Sequence, residues 1–482
     1  MTNRPDSQDP LPPRLAFPWA YKWSALAIAS LGNLMTTLDG GTVSIALPSL
    51  ADTFQVDPAI VGWVGIAYFL TSTSLLLAMG WVGDFLGRER LYLIGIVVFT
   101  LSLGLTSVTQ NIGQLIAMRA VQGIGSAMIL PTSAAILADA FPDRERGLAF
   151  GLTGAVVGLG LGAGPPLGGV LLDLMDWRAL FYVRIPLGLL TLVLGWLVLR
   201  RGRPVPGPLH VDLQGTLLLL ALLGSFLLAV NQAGRLGITS TLVLVSGTAS
   251  LVLVPVFVFS QLRARRPIVE LRLLRKPAFA SGLAAILAHF QAWNTVGFLM
   301  PFVMIRGLGY SALKAGVILS VFSLVRTFAS PVSGWLSDRT GQNRLFMVLG
   351  MIGMAGALVL LSGLGASATT AQFVGILAIA SLGSALFDPP NASTIMSAVP
   401  RERLGMAGAA IATSRQIGLS SGIALSGAIL TAREARYLTF GYAASDALIS
   451  GGSDALVVSA VICVLGTLPL LLGSRWKQVA AD

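Results

Sequence analysis

The sequence predicts an all-α integral membrane protein: two six-helix bundles with a two-helix hairpin inserted between them. Three observations carry this expectation. The 482 residues are 55% hydrophobic and 11% charged, with a mean hydropathy of +0.81, whereas a soluble chain carries about 25% charged residues. No soluble core hides that much apolar surface, so lipid is the solvent for most of the chain. The apolar residues also fall in fourteen runs, each able to cross a hydrocarbon core of about 30 Å. Finally, one turn is written twice. Gly80-Trp81-Val82-Gly83-Asp84-Phe85-Leu86-Gly87-Arg88-Glu89-Arg90-Leu91 returns as Gly334-Trp335-Leu336-Ser337-Asp338-Arg339-Thr340-Gly341-Gln342-Asn343-Arg344-Leu345, with Gly, Trp, Asp, Gly, Arg and Leu in register 254 residues on.

Taken in order, residues 1–20 are polar and Pro-rich, without the layout of a cleavable signal, and are expected to form a disordered cytoplasmic tail. The first bundle spans 21–200, with runs at 22–47, 58–82, 91–109, 112–138, 148–172 and 179–199. The inserted hairpin, 201–275, has runs at 213–230 and 240–260 and basic flanks. The second bundle spans 276–474, with runs at 278–303, 312–336, 345–363, 371–396, 405–431 and 454–473, and a second tail follows at 475–482. A second echo supports two repeated halves: Arg144-Glu145-Arg146 after the fourth run returns as Arg401-Glu402-Arg403 after the twelfth. Duplicated halves of this kind are a common way to build a transporter. The 55 glycines allow the helices to pack closely.

An even number of spans puts both termini on one side. Of the 32 Lys and Arg, 22 fall on that side, six on the other and four inside the runs. By the positive-inside rule the 22 face the cytoplasm. The same asymmetry explains the net charge of +11 without nucleic acid. Cys463 is alone, so no intrachain disulfide forms, and His210 and His289 belong to no metal-binding cluster. No Walker-type phosphate loop occurs, which argues against transport driven by ATP. No nucleophile–base pair suggests an enzyme. No bound cofactor is expected.

At the repeated turn, Gly80, Gly87 and Gly341 let the chain turn sharply between helices. Asp84 and Asp338 can pair with Arg88, Arg90 and Arg344 or cap the adjoining helix ends. These turns resemble the cytoplasmic signature of the major facilitator superfamily. The similarity runs from about Lys22 to Arg475, and narrower motifs point to the fourteen-spanner branch of its drug:proton antiporters. Leu38-Asp39-Gly40-Gly41-Thr42-Val43-Ser44-Ile45-Ala46-Leu47-Pro48 is similar to that branch's first-helix motif, with its Thr one place late. Arg119-Ala120-Val121-Gln122-Gly123 resembles the fourth-helix Arg motif, and Gly164-Pro165-Pro166-Leu167-Gly168-Gly169 the fifth-helix antiporter motif. Trp177 to Gly188 resembles the entry to the sixth helix, except that Arg184 stands where the family usually has Asn.

The resemblance implies a fold of two six-helix bundles and assigns roles to these residues. Asp39 lies deep in the first run, where a carboxylate costs about 2.5–3.5 kcal/mol, so it should face an aqueous cavity or a partner. The family reading makes it a proton-coupling or substrate-binding acid; a helix–helix salt bridge is the alternative. Arg119, Gln122 and Ser126 share one helix face, and Arg119 is either part of the proton relay or a polar clamp. The segment Gly164, Pro165, Pro166, Gly168 and Gly169 bends its helix and permits close contact, in service of antiport or of packing alone. Asp388, before Pro389 and Pro390, is a second candidate for protonation or a cap of a broken helix. His289, Trp293 and Asn294 share a face near the repeat-equivalent depth of Asp39 and offer an aromatic surface or interior packing. Arg184, Arg326 and Arg415 make the intramembrane balance cationic. Arg326 and Arg415 are expected in the cavity, where two arginines would suit an anionic or zwitterionic substrate, and for Arg184 snorkelling to an interface is the plain alternative.

The resulting expectation is a proton-driven exporter of small amphipathic molecules, acting as a monomer in a bacterial cytoplasmic membrane. Its partners are a small-molecule substrate and membrane lipid. The alternatives are a dedicated exporter of one metabolite or antibiotic, and a proton-coupled importer. Asp84, Arg88 and Arg90, with Asp338 and Arg344 as the second copy, are expected to latch the cytoplasmic side in the outward-facing state.

Overall fold

The computed structural model describes residues 21–200, 212–264, 267, 270–400 and 403–472. The expected tails, 1–20 and 475–482, and the basic flank at 201–204 lie outside them. Among the described residues there is no strand, and fourteen long helices account for nearly the whole chain. The first six are α1 (Tyr21–Phe54), α2 (Pro58–Leu86), α3 (Arg88–Ser107), α4 (Ile112–Ala140), α5 (Arg146–Leu174) and α6 (Ala179–Val198). Two more follow, α7 (Leu213–Leu236) and α8 (Thr241–Arg263). The rest are α9 (Pro277–Phe302), α10 (Ala312–Thr340), α11 (Asn343–Ser362), α12 (Thr370–Ser397), α13 (Leu404–Thr439) and α14 (Ala444–Leu472).

Each apolar run of the sequence falls on one helix. The largest difference is at α14, which starts at Ala444 rather than near 454. Asp454 ends the apolar run, yet the helix passes through it because Arg433 Nε sits 3.2 Å from its carboxylate and Tyr437 donates to it at 3.1 Å. Twelve of the fourteen helices are long and apolar enough to cross a membrane; α1 and α13 are outside that set. Both carry Asn, Thr, Ser, Gln or Arg residues that line an internal chamber, such as Asn33, Thr36, Thr37 and Ser44 on α1 and Arg415 and Gln416 on α13. Polarity turned inward lowers their hydropathy while they stay shielded from lipid.

Helices α1–α6 form one bundle and α9–α14 the other. Between the bundles, α5 packs along α10 and α2 along α13. Small residues make these approaches possible. A Cβ on Gly316 would collide with the carbonyl oxygen of Pro165, and one on Gly169 would stand 2.5 Å from the carbonyl oxygen of Ala312. Helix α7 lies against both α2 and α13, and α8 packs on α7; Trp63 donates to Asn231 on α7 at 2.9 Å.

The two ends of the molecule differ. At the end where α1 finishes, contacts tie the bundles together. Arg306, in the turn after α9, pairs with Asp52, and Asp173 accepts from the backbone N–H of Ala312 at 3.1 Å and of Leu313 at 3.0 Å. Ala59 N–H donates to Thr431 Oγ1 at 3.1 Å, and Arg235 on α7 pairs with Asp57 at 3.0 Å. From there a chamber of about 1040 Å³ runs between the bundles to the opposite end, where Gly80, Trp81, Asp84 and Arg88 form part of its wall. The chamber is therefore closed at the Asp52 end and reaches the Asp84 end.

Candidate functional site

Two polar clusters flank the chamber, one in each bundle. In the first, α1 holds Asp39 with no exposed surface. Helix α4 supplies two ligands one turn apart: Arg119 donates to Asp39 Oδ2 at 2.7 Å, and Gln122 donates to Oδ1 at 2.9 Å. Arg119 also donates to Gln122 Oε1 at 2.6 Å and to the Val64 carbonyl at 3.0 Å. Its guanidinium lies 4.6 Å from the ring centroid of Tyr68, whose hydroxyl donates to Ser126 Oγ at 2.9 Å. A second cation completes the clamp. The helix break between Ala179–Tyr182 and Ile185–Val198 turns Arg184 inward, and it donates to Asp39 Oδ1 at 2.7 Å. Of the two readings of Arg184, snorkelling to an interface does not hold, and it is not on the chamber wall either: it is 3% exposed and bound to Asp39. Its place in a motif position normally held by a neutral amide was the signal. A buried Asp facing one Arg leaves an oxygen open, and a long cation can reach it.

In the second bundle, Arg326 on α10 pairs with Asp388 on α12, its Nε donating at 2.9 Å. The Arg326 guanidinium lies 4.9 Å from the ring of Trp293 and 5.7 Å from that of Phe290. Trp293 stacks on Phe322 with centroids 3.7 Å apart and planes 19° from parallel. Arg415 on α13 lies 4.8 Å over Phe290 and is exposed. His289 is fully buried, shares a hydrogen bond of 2.9 Å with Ser384 and stacks on Phe387 at 4.5 Å.

The chamber wall includes Trp293, Asn294, Arg326 and Arg415, as well as Tyr68, Arg119, Phe290 and Phe322. Asp39, Gln122 and His289 were expected on that wall and are not there. Arg119 and Tyr68 stand between Asp39 and the open space, and His289 faces α12. Asp388 is also one layer back, behind Arg326. The reason is physical: a carboxylate in low dielectric is held best by charged donors on all sides, which draws it into the helix packing and away from the void. Sequence position gives depth along the helix but not this rotation.

The turn residues divide in the same way. Arg88 bridges Asp84 at 2.9 Å and Asp139 on α4 at 2.6 Å, all within the first bundle. Asp139 was not anticipated. Arg90 is exposed, and in the second copy Arg344 donates to the Leu471 carbonyl, with no ion pair joining it to the exposed Asp338. Of the two roles open to Asp338 and Arg344, this conformation shows no mutual pairing, and Arg344 instead meets a carbonyl at the end of α14. Gly87 and Gly341 take φ of 99° and 67°, the left-handed region in which glycine is favoured. Helix α5 continues through Pro165 and Pro166, with Gly164 against Gly41 and Gly169 against α10. Among the described residues no cluster suits a metal ion.

Comparison with known proteins gives the lineage. The model of the Major Facilitator Superfamily matches residues 29–423 and 282–472. The riboflavin transporter RibZ of Clostridioides difficile is 30% identical over 93% of this chain and 96% of its own length. The methylenomycin A resistance protein of Bacillus subtilis is 31% identical over 87% and 90%. The multidrug resistance protein Stp of Mycobacterium tuberculosis is 31% identical over 84% and 75%. In three dimensions the chain is similar to a bacterial homologue of the human lysosomal transporter Spinster, with a TM-score of 0.72, 15% identity and coverage of 96% and 98%. The chain belongs to the Major Facilitator Superfamily, in the branch that holds these multidrug-resistance relatives.

Proposed function

We propose that this chain is a proton-coupled antiporter that exports small, amphipathic, drug-like molecules from the cytoplasm by alternating access. The observation that carries the reading is the chamber of about 1040 Å³, closed at one end and backed by a buried carboxylate held by two arginines. The size is that of a site for a drug-sized ligand, and resistance and multidrug relatives support efflux. The Lys and Arg asymmetry supports a cytoplasmic Asp84 end, and in this reading both termini lie on that side of a bacterial cytoplasmic membrane. In this reading the conformation faces inward, the chain works as a monomer, and α7–α8 is a hairpin inserted between two repeats.

The coupling then follows from the Asp39 clamp. In the inward-facing state Asp39 is ionised and Arg119, Arg184 and Gln122 hold it. Protonation from the outside removes its charge, frees the two arginines and lets the first bundle rearrange against the second. Carrying one net charge across 100 mV supplies about 2.3 kcal/mol, enough for roughly a fifty-fold gradient. Exchange of one proton for one monovalent cation moves no net charge and draws only on the pH difference; a neutral or anionic substrate draws on voltage as well.

Everted membrane vesicles test this. With the interior acidified, addition of a transported compound should release protons from wild type and not from Asp39→Asn. Release that persists in the variant removes Asp39 from the coupling. A second reading, a carrier dedicated to one metabolite or antibiotic, draws on the riboflavin transporter among the relatives. It is favoured if a broad compound panel leaves a single active member.

A further inference from the structure

We propose that the chamber contains an anion-binding subsite centred on Arg415, suited to planar aromatic acids: a carboxylate or acidic phenol carried on a flat ring. This rests on reading the chamber as the substrate site and adds the charge and shape of what it takes. Five ionised side chains line the chamber: Asp84, Arg88, Arg119, Arg326 and Arg415. Asp84 pairs with Arg88, Arg88 also with Asp139, Arg119 with Asp39, and Arg326 with Asp388. Arg415 makes no ion pair within 4 Å among the described residues: the Asp388 carboxylate acts on it only from longer range, already paired with Arg326, and the face of Phe290 lies 4.8 Å from its guanidinium.

A guanidinium offers five N–H donors and accepts nothing. Set on an apolar wall, it is matched best by an anion, whose charge-assisted hydrogen bonds are about twice as strong as neutral ones. The surroundings supply the flat surface. Trp293 is partly exposed on the chamber wall and is backed by the buried Phe322, while both Arg415 and Arg326 lie near the edge of the wall formed by Phe290. A lipophilic cation finds the opposite. Asp39 and Asp388 sit behind the wall and are already bound by arginines, and Asp84 is committed to Arg88 at the mouth.

Three probes that share a naphthalene ring and differ in charge decide the matter: 2-naphthoate, 2-naphthalenemethanol and 2-naphthylmethylammonium. Their affinities are measured by titration calorimetry on the full-length protein in phosphatidylcholine nanodiscs. The acid should bind about tenfold tighter than the alcohol, about 1.4 kcal/mol, and the ammonium weakest. Arg415→Gln should bring the acid to the level of the alcohol and leave the alcohol unchanged. Equal binding of acid and alcohol by wild type, or an acid preference that survives Arg415→Gln, overturns the subsite and leaves the chamber as the substrate site. Failure of all three probes to bind overturns both. Should Arg415→Gln lose the alcohol too, Arg415→Lys decides: a kept preference for the acid supports the subsite, and a lost one overturns it.

Discussion

Arg184 meets Asp39 at 2.7 Å on the oxygen that Gln122 also binds, while Arg119 takes the other oxygen at 2.7 Å. One carboxylate therefore faces two guanidinia, and Arg184 Nη2 has no partner among the described residues. The cluster carries a surplus positive charge with no exposed carboxylate to offset it.

That surplus makes the two halves of the clamp unequal. Removing one partner of a buried pair costs about 3–5 kcal/mol when it strands a charge. Asp39→Asn strands two arginines, whereas Arg184→Asn leaves Asp39 with Arg119 and Gln122. Thermal unfolding in detergent should show a clearly larger loss for Asp39→Asn than for Arg184→Asn. The double variant should be more stable than Asp39→Asn alone. Equal single losses that simply add in the double would sink the idea of a surplus charge.

The Asp52 end is held by side chains from both bundles, so a bridge there should trap the conformation described here. Cys463 is the sole cysteine and is buried, and Cys463→Ala gives a clean background. With Asp52→Cys and Arg306→Cys joined by a short bifunctional thiol reagent, transport should stop while binding from the Asp84 end continues. A linked protein that still transports at the wild-type rate would mean that this end does not open during the cycle.

The architecture was legible because lipid enforces it. Every span must satisfy its own backbone, so apolar runs read almost directly as helices, and the repeated Gly-Trp-Asp-Gly-Arg order exposed the two halves. The site was legible in depth and not in direction. Asp39, Arg119 and Gln122 were singled out as functional residues, and the structure brings them into one cluster behind the chamber wall. The pairing of Arg184 escaped because the break in α6 that turns it inward has no sharp sequence signal: Pro186 marks the second helical piece but not the rotation of Arg184, two residues earlier. Asp139 escaped because its partner Arg88 is 51 residues away in sequence and meets it only through the packing of α3 on α4. Pairing across helices is a property of the bundle, whereas depth is a property of one helix.

Close contact between α1 and α5 gives a steric prediction. A side chain at Gly164 would press on the Gly41 backbone at 2.9 Å, where no flexible atom can yield. Overpacking of this kind costs about 1–3 kcal/mol. Gly164→Val should therefore lower the unfolding temperature modestly and depress export strongly, because the α1–α5 contact carries Asp39 on one partner. Gly154→Val, on the same helix with open space around it, should do neither. Similar effects at both sites would reduce the Gly-Pro-Pro segment to general helix propensity.

The turn at Asp84 separates a gate from a brace. Arg88 and both of its carboxylate partners are partly exposed, at 35%, 46% and 64% of their side-chain surface. Pairs so exposed contribute about 0–1 kcal/mol each. If the turn acts only in this conformation, Arg88→Gln should change little of anything. If the same residues engage the other bundle when the Asp84 end closes, the variant should unfold within a few degrees of wild type yet export about tenfold more slowly, a barrier increase of about 1.4 kcal/mol. We expect the second result. Paired unfolding and vesicle-transport measurements on Arg88→Gln check it, and a rate that merely follows the amount of folded protein would make the turn a structural brace.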